Sequence, residues 1–484
     1  MTQDMPTPAK SGRLIVISNR IPTEAEPSGG LVVALHEALG QQGGVWIGSS
    51  GDAVEQPKAG LTRIASGAYD RMSFDLSAED YEQFYLGYAN SVLWPLFHRR
   101  ADLMDVQPGF AEGYARVNDR LADMIAAFTR PDDLIWVHDY HFLPLADALR
   151  QRGLQNRIGF FLHIPFPSAS DVPALPQADA LKTWVAGYDV FGLQTEGDVM
   201  RCRALFRLDD DAEFFTSGAV RLGGRSFHPH AFPIGIDAHA FREMAINSTA
   251  GDTITMARGQ KLVLGVDRLD YSKGLVHRFE GFAAYLTQRP DDAPRATLLQ
   301  IAPPSREEVG AYQDIRQELE SAAGSINGDH SELDWTPIRY IRRSVPRDDL
   351  AGLYARADCA MVTPLADGMN LVAKEFVAAQ DPDDPGVLIL SHFAGAAEQM
   401  PEALLVNPYD AQEVGDAVTR ALIMPLAERK ARHAALWKNV SEQDIAWWSS
   451  RWMVALTQGI APLSDIAPGA ETPAIARDTL EPAG

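Results

Sequence analysis

Short apolar runs alternate with longer segments of helical periodicity along most of the chain. The runs are rich in β-branched and aromatic residues and hold few polar positions, which is typical of strands buried on both faces of a parallel sheet. In chain order the runs are RLIVISN, GVWIGSS, LIWVHDY, IGFFLHI, DVFGLQT, KLVLGV, ATLLQIA, IRYIR, CAMVTP and GVLILS. This pattern predicts an α/β protein with parallel sheets covered by helices on both sides.

A polar interval divides the runs into two groups and predicts two doubly wound domains. It contains HPHAFPIGIDAHAF and NSTAGDTITMARGQ, where both periodicities lapse, so we place the domain junction near residue 245. The predicted organisation is a disordered start (1–12), two domains (13–245 and 246–440), a C-terminal helix returning to the first domain (441–461) and a disordered tail (462–484). Ligands of open α/β sheets bind beyond the carboxyl ends of the strands, so the cleft between the domains is the expected site.

Composition and charge exclude several classes of partner. The chain has 43 basic and 65 acidic residues and a formal net charge of -22, which argues against nucleic acid and against an anionic membrane surface. Its two cysteines, Cys202 and Cys359, argue against a disulfide framework or a cysteine-rich zinc site and fit a reducing cytoplasm. The first residues lack an apolar signal core, and no apolar run approaches the roughly 18 to 20 residues of a membrane helix.

Two cations follow the sixth apolar run, within DRLDYSKG. Arg268 and Lys273 fall in the loop at the carboxyl edge of the predicted sheet, where both could hold an anion such as a diphosphate. A pair of unit charges 4 Å apart is worth roughly 4 kcal/mol at an effective dielectric near 20. The alternative is that both cations pair with Asp267 and Asp270 on a solvated loop.

The segment TPLADGMNLVAKEFVAAQ predicts a strand end, a turn with Asp367, Gly368 and Asn370, and a buried helix. The backbone N–H groups at the start of such a helix favour an anion. Glu375, one turn into the helix, suits the hydroxyls of a ribose, or it only stabilises the helix dipole. Asp367 either caps the helix or contacts sugar hydroxyls.

Strand ends in the first half carry a second set of polar residues. Arg20 lies at the end of the first predicted strand, and Gly29 and Gly30 before the following helix allow close approach of a ligand, although a simple turn is the favoured interpretation of this pair. Asp139 lies at the end of the third run and suits a general base or an acceptor for sugar hydroxyls. Arg306 is expected to open a long helix, where a cation is unfavourable unless it binds a ligand such as a phosphate.

Histidines and aromatic residues accompany these strand ends. A metal site built from His138, His141 and His163 with Asp139 is the less favoured interpretation, because the spacing matches neither HExxH nor a zinc triad. The segment FYLGYANSVLWPLFHRR contributes aromatic and amide side chains that are either core or a stacking surface for a sugar. These are Tyr85, Tyr88, Asn90 and Trp94.

A series of motifs in the same order resembles the trehalose-6-phosphate synthases over roughly residues 13 to 460. The motifs are SNRIP, the Gly-Gly turn, NSVLWPLFH, HDYH, IGFFLHIPFP, GLQTEGD, PIGID, DRLDYSKG, QIAPPSR, AYQDIR, TPLADGMNLVAKEFVAAQ and NPYD. That family, glycosyltransferase family 20, consists of retaining enzymes of the GT-B fold, which has two Rossmann-like domains. The resemblance implies transfer of glucose from UDP-glucose to glucose 6-phosphate, giving α,α-trehalose 6-phosphate and UDP.

The resemblance also implies roles for residues at matching positions. The implied acceptor contacts are Arg20, Tyr85, Trp94, Asp139 and Arg306, with both arginines on the phosphate. The implied donor contacts are Gly29, Gly30, Arg268, Lys273, Val345, Asp367, Gly368, Met369, Asn370, Leu371, Val372 and Glu375. The implied catalytic residues are Arg268, Lys273, Asp367 and His163.

The expected partners are these two small molecules, with no nucleic acid, membrane, cofactor or metal, and with a homodimer or homotetramer as the assembly. Cations and a helix start suit a departing diphosphate, whereas a glycosidase needs paired carboxylates. Alternatives are an acceptor such as glycerol 3-phosphate, ADP-glucose or GDP-glucose as donor, and an inactive sugar-phosphate sensor. A phosphatase activity is not expected, since the sequence has no Asp-x-Asp-x-Thr motif.

Overall fold

The computed structural model describes residues 12–22, 30–257, 259–289, 294–306 and 308–460. The segments predicted to be disordered, 1–12 and 462–484, therefore lie outside the described residues except for Gly12. Within the described ranges, no helix combines the length and apolar character needed to cross a membrane.

The first half of the chain forms a ten-stranded sheet. Its strands are β1 (Leu14–Arg20), β2 (Gly44–Ala53), β3 (Thr62–Ala65), β4 (Asp70–Leu76), β5 (Leu134–His138), β6 (Ile158–Phe161), β7 (Val190–Leu193), β8 (Glu213–Phe214), β9 (Val220–Leu222) and β10 (Arg225–Ala231). The strand order is β3-β4-β2-β1-β5-β6-β7-β10-β9-β8. Neighbours from β4 to β10 are parallel, and antiparallel pairs occur only at the two ends of this sheet.

The second half forms a six-stranded parallel sheet. Its strands are β11 (Lys261–Val266), β12 (Ala296–Ile301), β13 (Ile338–Ile341), β14 (Cys359–Val362), β15 (Val387–Ser391) and β16 (Leu404–Val406). Their order is β13-β12-β11-β14-β15-β16. In both sheets the order reverses beside the first strand, which is the doubly wound Rossmann arrangement. The reversal leaves a crevice between β1 and β5 and another between β11 and β14.

Helices cover both sheets. They are α1 (Gly30–Gln42), α2 (Ala78–Asp80), α3 (Trp94–Phe97), α4 (Phe110–Ala126), α5 (Leu145–Gln151), α6 (Ala178–Ala186), α7 (Glu196–Phe206), α8 (Ala238–Asn247), α9 (Leu275–Gln288), α10 (Gly310–His330), α11 (Arg347–Arg356), α12 (Leu371–Ala379), α13 (Ala411–Ile423), α14 (Leu426–Glu442) and α15 (Ile445–Gln458). A π-helix, Tyr81–Leu93, joins α2 to α3.

The apolar runs became strands because their side chains are buried. Each of the ten runs contains a strand, and Leu14, Ile15, Val16 and Ile17 of β1 are all 0% exposed. Burial on both faces removes polar positions from a strand, which made these runs visible in the sequence. The α/β prediction is confirmed. The short strands β3, β8, β9 and β16 and the half-buried strand β4 lack such a run and were missed.

The interval between the sheets is more regular than the sequence indicated. Its HPHA residues form the end of β10, and its AHAF residues begin α8. The prediction that regular structure lapses there was wrong, because β10 pairs on both sides and its buried positions, Phe227 and Pro229, do not form an apolar run. The predicted junction near residue 245 falls inside α8, between the two sheets.

Helix α15 lies against the first sheet although it follows the second in the chain. Its Trp452 ring stacks on Trp136 of β5 with ring centres 5.3 Å apart, and it meets Phe161 of β6 edge to face at 5.6 Å. Gly192 of β7 makes room for this indole, since a Cβ there would lie 2.3 Å from the ring. The chain thus crosses between the two halves twice.

Candidate active site

A cleft of about 730 Å³ lies between the two halves at the carboxyl edges of both sheets. Nine residues predicted from the sequence line it: Arg20, Tyr85, Trp94, Asp139, His163, Arg268, Lys273, Arg306 and Asp367. Five of them end or follow the strands that flank the two crevices: Arg20 ends β1, Asp139 follows β5, Arg268 and Lys273 follow β11, and Asp367 follows β14. Parallel strands bring their carboxyl ends to one edge, so residues far apart in sequence converge there.

Aromatic side chains form one wall. The Arg20 guanidinium lies 6.0 Å from the centre of the Tyr85 ring, which stacks on His141 at 5.8 Å with an angle of 12°. Tyr85 belongs to the π-helix, whose wider turns let Asn90 and Ser91 bond back five residues, to the carbonyls of Tyr85 and Leu86. A π-helix of this length is unusual and such turns are frequent at functional sites.

Arg306 reaches this wall from the second half, but it does not open a helix as predicted. Helix α10 begins at Gly310, and Arg306 has a left-handed backbone with φ 49° that no α-helix accommodates. Its guanidinium donates to the hydroxyls of Tyr312 at 2.6 Å and Tyr140 at 3.0 Å. It also lies 3.8 Å from the centre of the Trp94 ring. These contacts hold the cation in the cleft and explain the strained backbone.

Asp139 likewise has a left-handed backbone, with φ 71°. Burial raises the pKa of its carboxyl to about 6, even though the charges of Arg306 and Arg268 act in the opposite direction. One carboxylate oxygen accepts the backbone N–H of His163 at 3.3 Å. Above about pH 6 the ionised carboxylate in this position can accept a hydrogen bond from a sugar hydroxyl.

The histidines of the cleft are neutral at physiological pH. Burial lowers the pKa of His163 to about 3, and its Nε2 lies 3.0 Å from Nδ1 of His138. Burial and the nearby cation Arg306 also lower the pKa of His141 to about 3. Among the described residues, no group of three or more His, Cys, Asp or Glu side chains has the geometry to hold a metal ion.

In the loop after β11, neither Arg268 nor Lys273 forms an ion pair with Asp267 or Asp270. Asp267 pairs instead with Arg278, and Asp270 lies 3.6 Å from Arg306 and accepts from Tyr312 at 2.9 Å. The solvated-loop alternative is therefore wrong in its pairing. Arg268 is exposed to the cleft, 5.7 Å from the Trp94 ring centre. Lys273 is bound to Asp367, with 2.5 Å between Nζ and Oδ2.

Asp367 does not cap helix α12. That position is held by Asn370, whose φ is 81° and whose side chain accepts the Ala373 N–H at 3.3 Å. Asn370 also donates to Asp367 at 3.0 Å. By the geometry of an α-helix, the first-turn N–H groups of Leu371 and Val372 have no partner within the helix and remain available to an anion.

Four other predicted donor residues, Val345, Gly368, Met369 and Glu375, are not among the residues that line the cavity. Gly368 packs against the first half of the chain, because a Cβ on it would lie 2.2 Å from the His163 carbonyl oxygen. Glu375 is ion-paired with Arg347 at 3.3 Å, and burial raises its pKa. Val345 packs with the apolar core, and Met369 is buried in it. Gly30 begins α1, whereas Gly29 lies outside the described residues.

Sequence reasoning missed three residues that hold the charged groups of the cleft. Tyr140 and Tyr312 are buried and donate to Asn90 and Asp270, so their hydroxyls link both halves through Arg306. Both stood in the quoted motifs HDYH and AYQDIR, where a buried tyrosine calls for a polar partner. The third is the buried Arg278, whose surroundings gave no sequence signal.

The chain is similar to known proteins over nearly its whole length. The family model of glycosyltransferase family 20 matches residues 7–458. A trehalose-6-phosphate synthase of Citrobacter koseri is 45% identical over 469 residues, which are 95% of this chain and 97% of that protein.

Two solved structures are similar over nearly the whole chain. The α,α-trehalose-phosphate synthase (UDP-forming) of Burkholderia vietnamiensis is 44% identical with a TM-score of 0.89, covering 93% of this chain and 98% of that one. The enzyme of Burkholderia xenovorans, solved in complex with glucose-6-phosphate, is 43% identical with a TM-score of 0.85, covering 92% of this chain and 100% of that one.

Proposed function

The chain belongs to glycosyltransferase family 20, and from this premise we propose how its cleft transfers glucose from UDP-glucose to glucose 6-phosphate. The products are α,α-trehalose 6-phosphate and UDP, and the configuration of the transferred glucose is retained. The GT-B fold supplies two Rossmann-like halves that face each other across one cavity.

One observation carries the proposal: cations converge from both halves on a single cavity of an otherwise acidic chain. Arg268, Lys273 and Arg306 come from the second half, and Arg20 comes from the first. The reaction joins two phosphorylated substrates, a diphosphate donor and a monophosphate acceptor. With a formal net charge of -22, the protein needs local cations to bind either of them.

We assign Arg20 and Arg306 to the acceptor phosphate and Asp139 to acceptor hydroxyls. Arg268, Lys273 and the amides of Leu371 and Val372 are assigned to the diphosphate, which gains charge as it leaves. Asp367 and His163 are assigned to the donor glucose, and Glu375 to the ribose. Trp94, held between Arg306 and His98 at 3.8 and 4.1 Å, gives the acceptor pocket a rigid wall.

Three carboxylates line the cleft; Glu308 is exposed, and neither Asp139 nor Asp367 suits the role of covalent nucleophile. Asp367 is ion-paired with Lys273, and Asp139 accepts the backbone N–H of His163 and is assigned to hydroxyls of the acceptor rather than to the donor glucose. We infer attack by the acceptor hydroxyl on the face that the diphosphate leaves, through an oxocarbenium-like centre. The leaving phosphate accepts the hydroxyl proton, so no strong general base is required. Closure of the cleft excludes water, which would otherwise hydrolyse the donor.

No metal ion takes part in this proposal, because cations and a helix start neutralise the diphosphate. A reducing cytoplasm is the proposed location, consistent with both cysteines being free and buried. A homodimer or homotetramer is the proposed assembly. ADP-glucose, GDP-glucose, glycerol 3-phosphate and a non-catalytic sensor are the alternatives that an assay must separate.

The test is a product assay with a chelator present. The protein is incubated with glucose 6-phosphate and UDP-, ADP- or GDP-glucose in turn, with EDTA, and the sugar product is identified by NMR. We expect α,α-trehalose 6-phosphate from UDP-glucose at an undiminished rate. A different sugar product, or none with any donor, contradicts the proposed reaction, and activity restored only by Mg²⁺ contradicts the metal-free mechanism.

A further inference from the structure

Arg278 is a fully buried arginine behind the part of the cleft that is formed by Arg268, Lys273 and the start of α12, which we call the donor wall. It lies in the first turn of α9, which follows DRLDYSKG, and it is 0% exposed. It is not among the residues that line the cavity. A buried charge is costly unless it is paired and hydrogen-bonded, so its partners matter more than its own contact with solvent.

The Arg278 guanidinium joins the ends of three adjacent strands. Its Nη1 lies 2.7 Å from the Asp267 carboxylate, directly after β11, and donates to Oε1 of Gln300 on β12 at 2.9 Å. Its Nε donates to Oγ1 of Thr363, directly after β14, at 3.0 Å. Strands β12, β11 and β14 are neighbours in the sheet, and all three partners are buried.

A glycine in strand β11 leaves space for the Arg278 guanidinium. Gly265 lies beside the guanidinium, and a Cβ on it would lie 2.2 Å from Oε1 of Gln300 and 2.9 Å from Nη1 of Arg278. Its φ does not require glycine, so the requirement is for space. Any larger residue at 265 would displace Arg278 or its partner.

The three strand ends lead into the loops that carry the charged groups of the cleft. Arg268 is the neighbour of Asp267, and Lys273 follows on the same loop. Thr363 precedes the turn with Asp367 and the start of α12. Gln300 precedes the loop with Arg306, but Arg306 has its own bonds to Tyr312 and Tyr140.

We propose that Arg278 is a positioning residue for the diphosphate of the donor: it fixes the ends of β11 and β14 so that Arg268, Lys273 and the start of α12 face one phosphate group together. The inference rests on the proposed function, since it presumes that a nucleotide diphosphate occupies this wall. Arg278 itself touches no substrate. A guanidinium is required, because a single ammonium cannot hold partners on three strands in a fixed plane.

The test compares Arg278→Lys with a matched control, Arg150→Lys. Arg150 is 10% exposed at its side chain, pairs with Asp189 at 2.9 Å and donates to the carbonyls of Leu154 and Asn156. These partners precede β6 and β7, at the sheet edge opposite the cleft. Inhibition constants of UDP and of uridine are measured against UDP-glucose, together with kcat, the KM of glucose 6-phosphate and the melting temperature.

We expect Arg278→Lys to raise the inhibition constant of UDP by about tenfold to a hundredfold, as loss of a supporting contact around a charged site does. The constant of uridine, which has no diphosphate, should change by less than about twofold, and so should the KM of glucose 6-phosphate. Arg150→Lys should lower the melting temperature and leave both inhibition constants unchanged. An unchanged UDP constant in folded Arg278→Lys, or an equal change for uridine, overturns the inference.

Thr363→Val is the alternative test if Arg278→Lys does not fold. It removes the hydroxyl that accepts from Arg278 and keeps the buried ion pair of Arg278 with Asp267. It should raise the inhibition constant of UDP several-fold and lower the melting temperature less than Arg278→Lys does, and an unchanged inhibition constant of UDP in this variant also overturns the inference. The proposed function fails in a different way: the wild-type protein itself would then neither bind UDP nor form trehalose 6-phosphate.

Discussion

Lys273 and Asp367 form an ion pair in the cleft, with 2.5 Å between Nζ and Oδ2, although they are 94 positions apart in the sequence. The lysine was predicted to bind the diphosphate of the donor, and the aspartate was predicted to contact the donor glucose. Their pairing places the two predicted subsites next to each other. It also means that Asp367 competes with the diphosphate for Lys273, while Arg268 has no such carboxylate partner among the described residues.

Asp367→Asn should therefore separate nucleotide binding from transfer. The substitution removes a carboxylate that holds Lys273 and repels the diphosphate, so we expect UDP to bind about threefold to tenfold more tightly. Turnover should fall about a hundredfold, because Lys273 is no longer oriented and the contact with the donor glucose is weakened. Calorimetric titration with UDP and initial rates check the two effects. Weaker UDP binding in the variant would contradict the competition.

Arg268→Ala and Lys273→Ala should each lower kcat about a hundredfold or more, since each removes a cation that stabilises the leaving diphosphate. Arg316→Ala is the control, because Arg316 lies on α10 and pairs only at the surface with Glu320, at 3.1 Å. Steady-state rates with saturating substrates measure the effect. Full turnover in either cleft variant would refute the role of these cations.

Arg20→Ala should weaken the binding of glucose 6-phosphate and leave the affinity for UDP unchanged. Loss of a charge-assisted bond to the phosphate is worth about 1.5 to 3 kcal/mol, or roughly tenfold to a hundredfold in KM. Arg306→Ala should have the same kinetic signature but also a lower melting temperature, because Arg306 bonds Tyr312 and Tyr140 and stacks on Trp94. Equal loss of UDP binding in Arg20→Ala would contradict the division of the cleft.

The raised pKa of Asp139, about 6, predicts a pH dependence of acceptor use. The carboxylate is protonated as the pH falls through 6 and then accepts sugar hydroxyls poorly, so kcat/KM for glucose 6-phosphate should fall on the acid side. The substrate phosphate also titrates near pH 6. Asp139→Asn separates the two, since it should remove one of two acid-side ionisations from the pH profile. A profile with the same slope in the variant would exclude Asp139 as its source.

Glu398 should stabilise the closed cleft. Its carboxylate, in the second half, accepts the backbone N–H groups of Glu196 and Gly197 at the start of α7 in the first half, both at 3.0 Å. Glu398→Gln removes the charge at this helix start, at a cost of about 1 kcal/mol. We expect a larger radius of gyration by X-ray scattering without ligand and a several-fold lower kcat. Glu442→Gln, at the end of α14, is the matched control and should change neither value.

Much of the site could be predicted because parallel strands bring their ends to one edge. Arg20, Asp139, Arg268 and Asp367 each follow an apolar run, and all four line the cleft. The failures concern residues whose place depends on distant partners. Arg306 was expected to open a helix, but its bond to Tyr140, 166 positions away, holds it in a left-handed turn instead.

The sequence by itself determined most of the strands, the class of fold and the identity of the charged groups at the strand ends. A strand that is buried on both faces appears in the sequence as an apolar run, which can be recognised without knowledge of distant residues. Only the tertiary structure decided which charges pair: Lys273 with Asp367, Asp267 with Arg278, and Glu398 with the start of α7. Such pairs depend on how two sheets pack and how far each side chain reaches, and local periodicity does not encode either quantity.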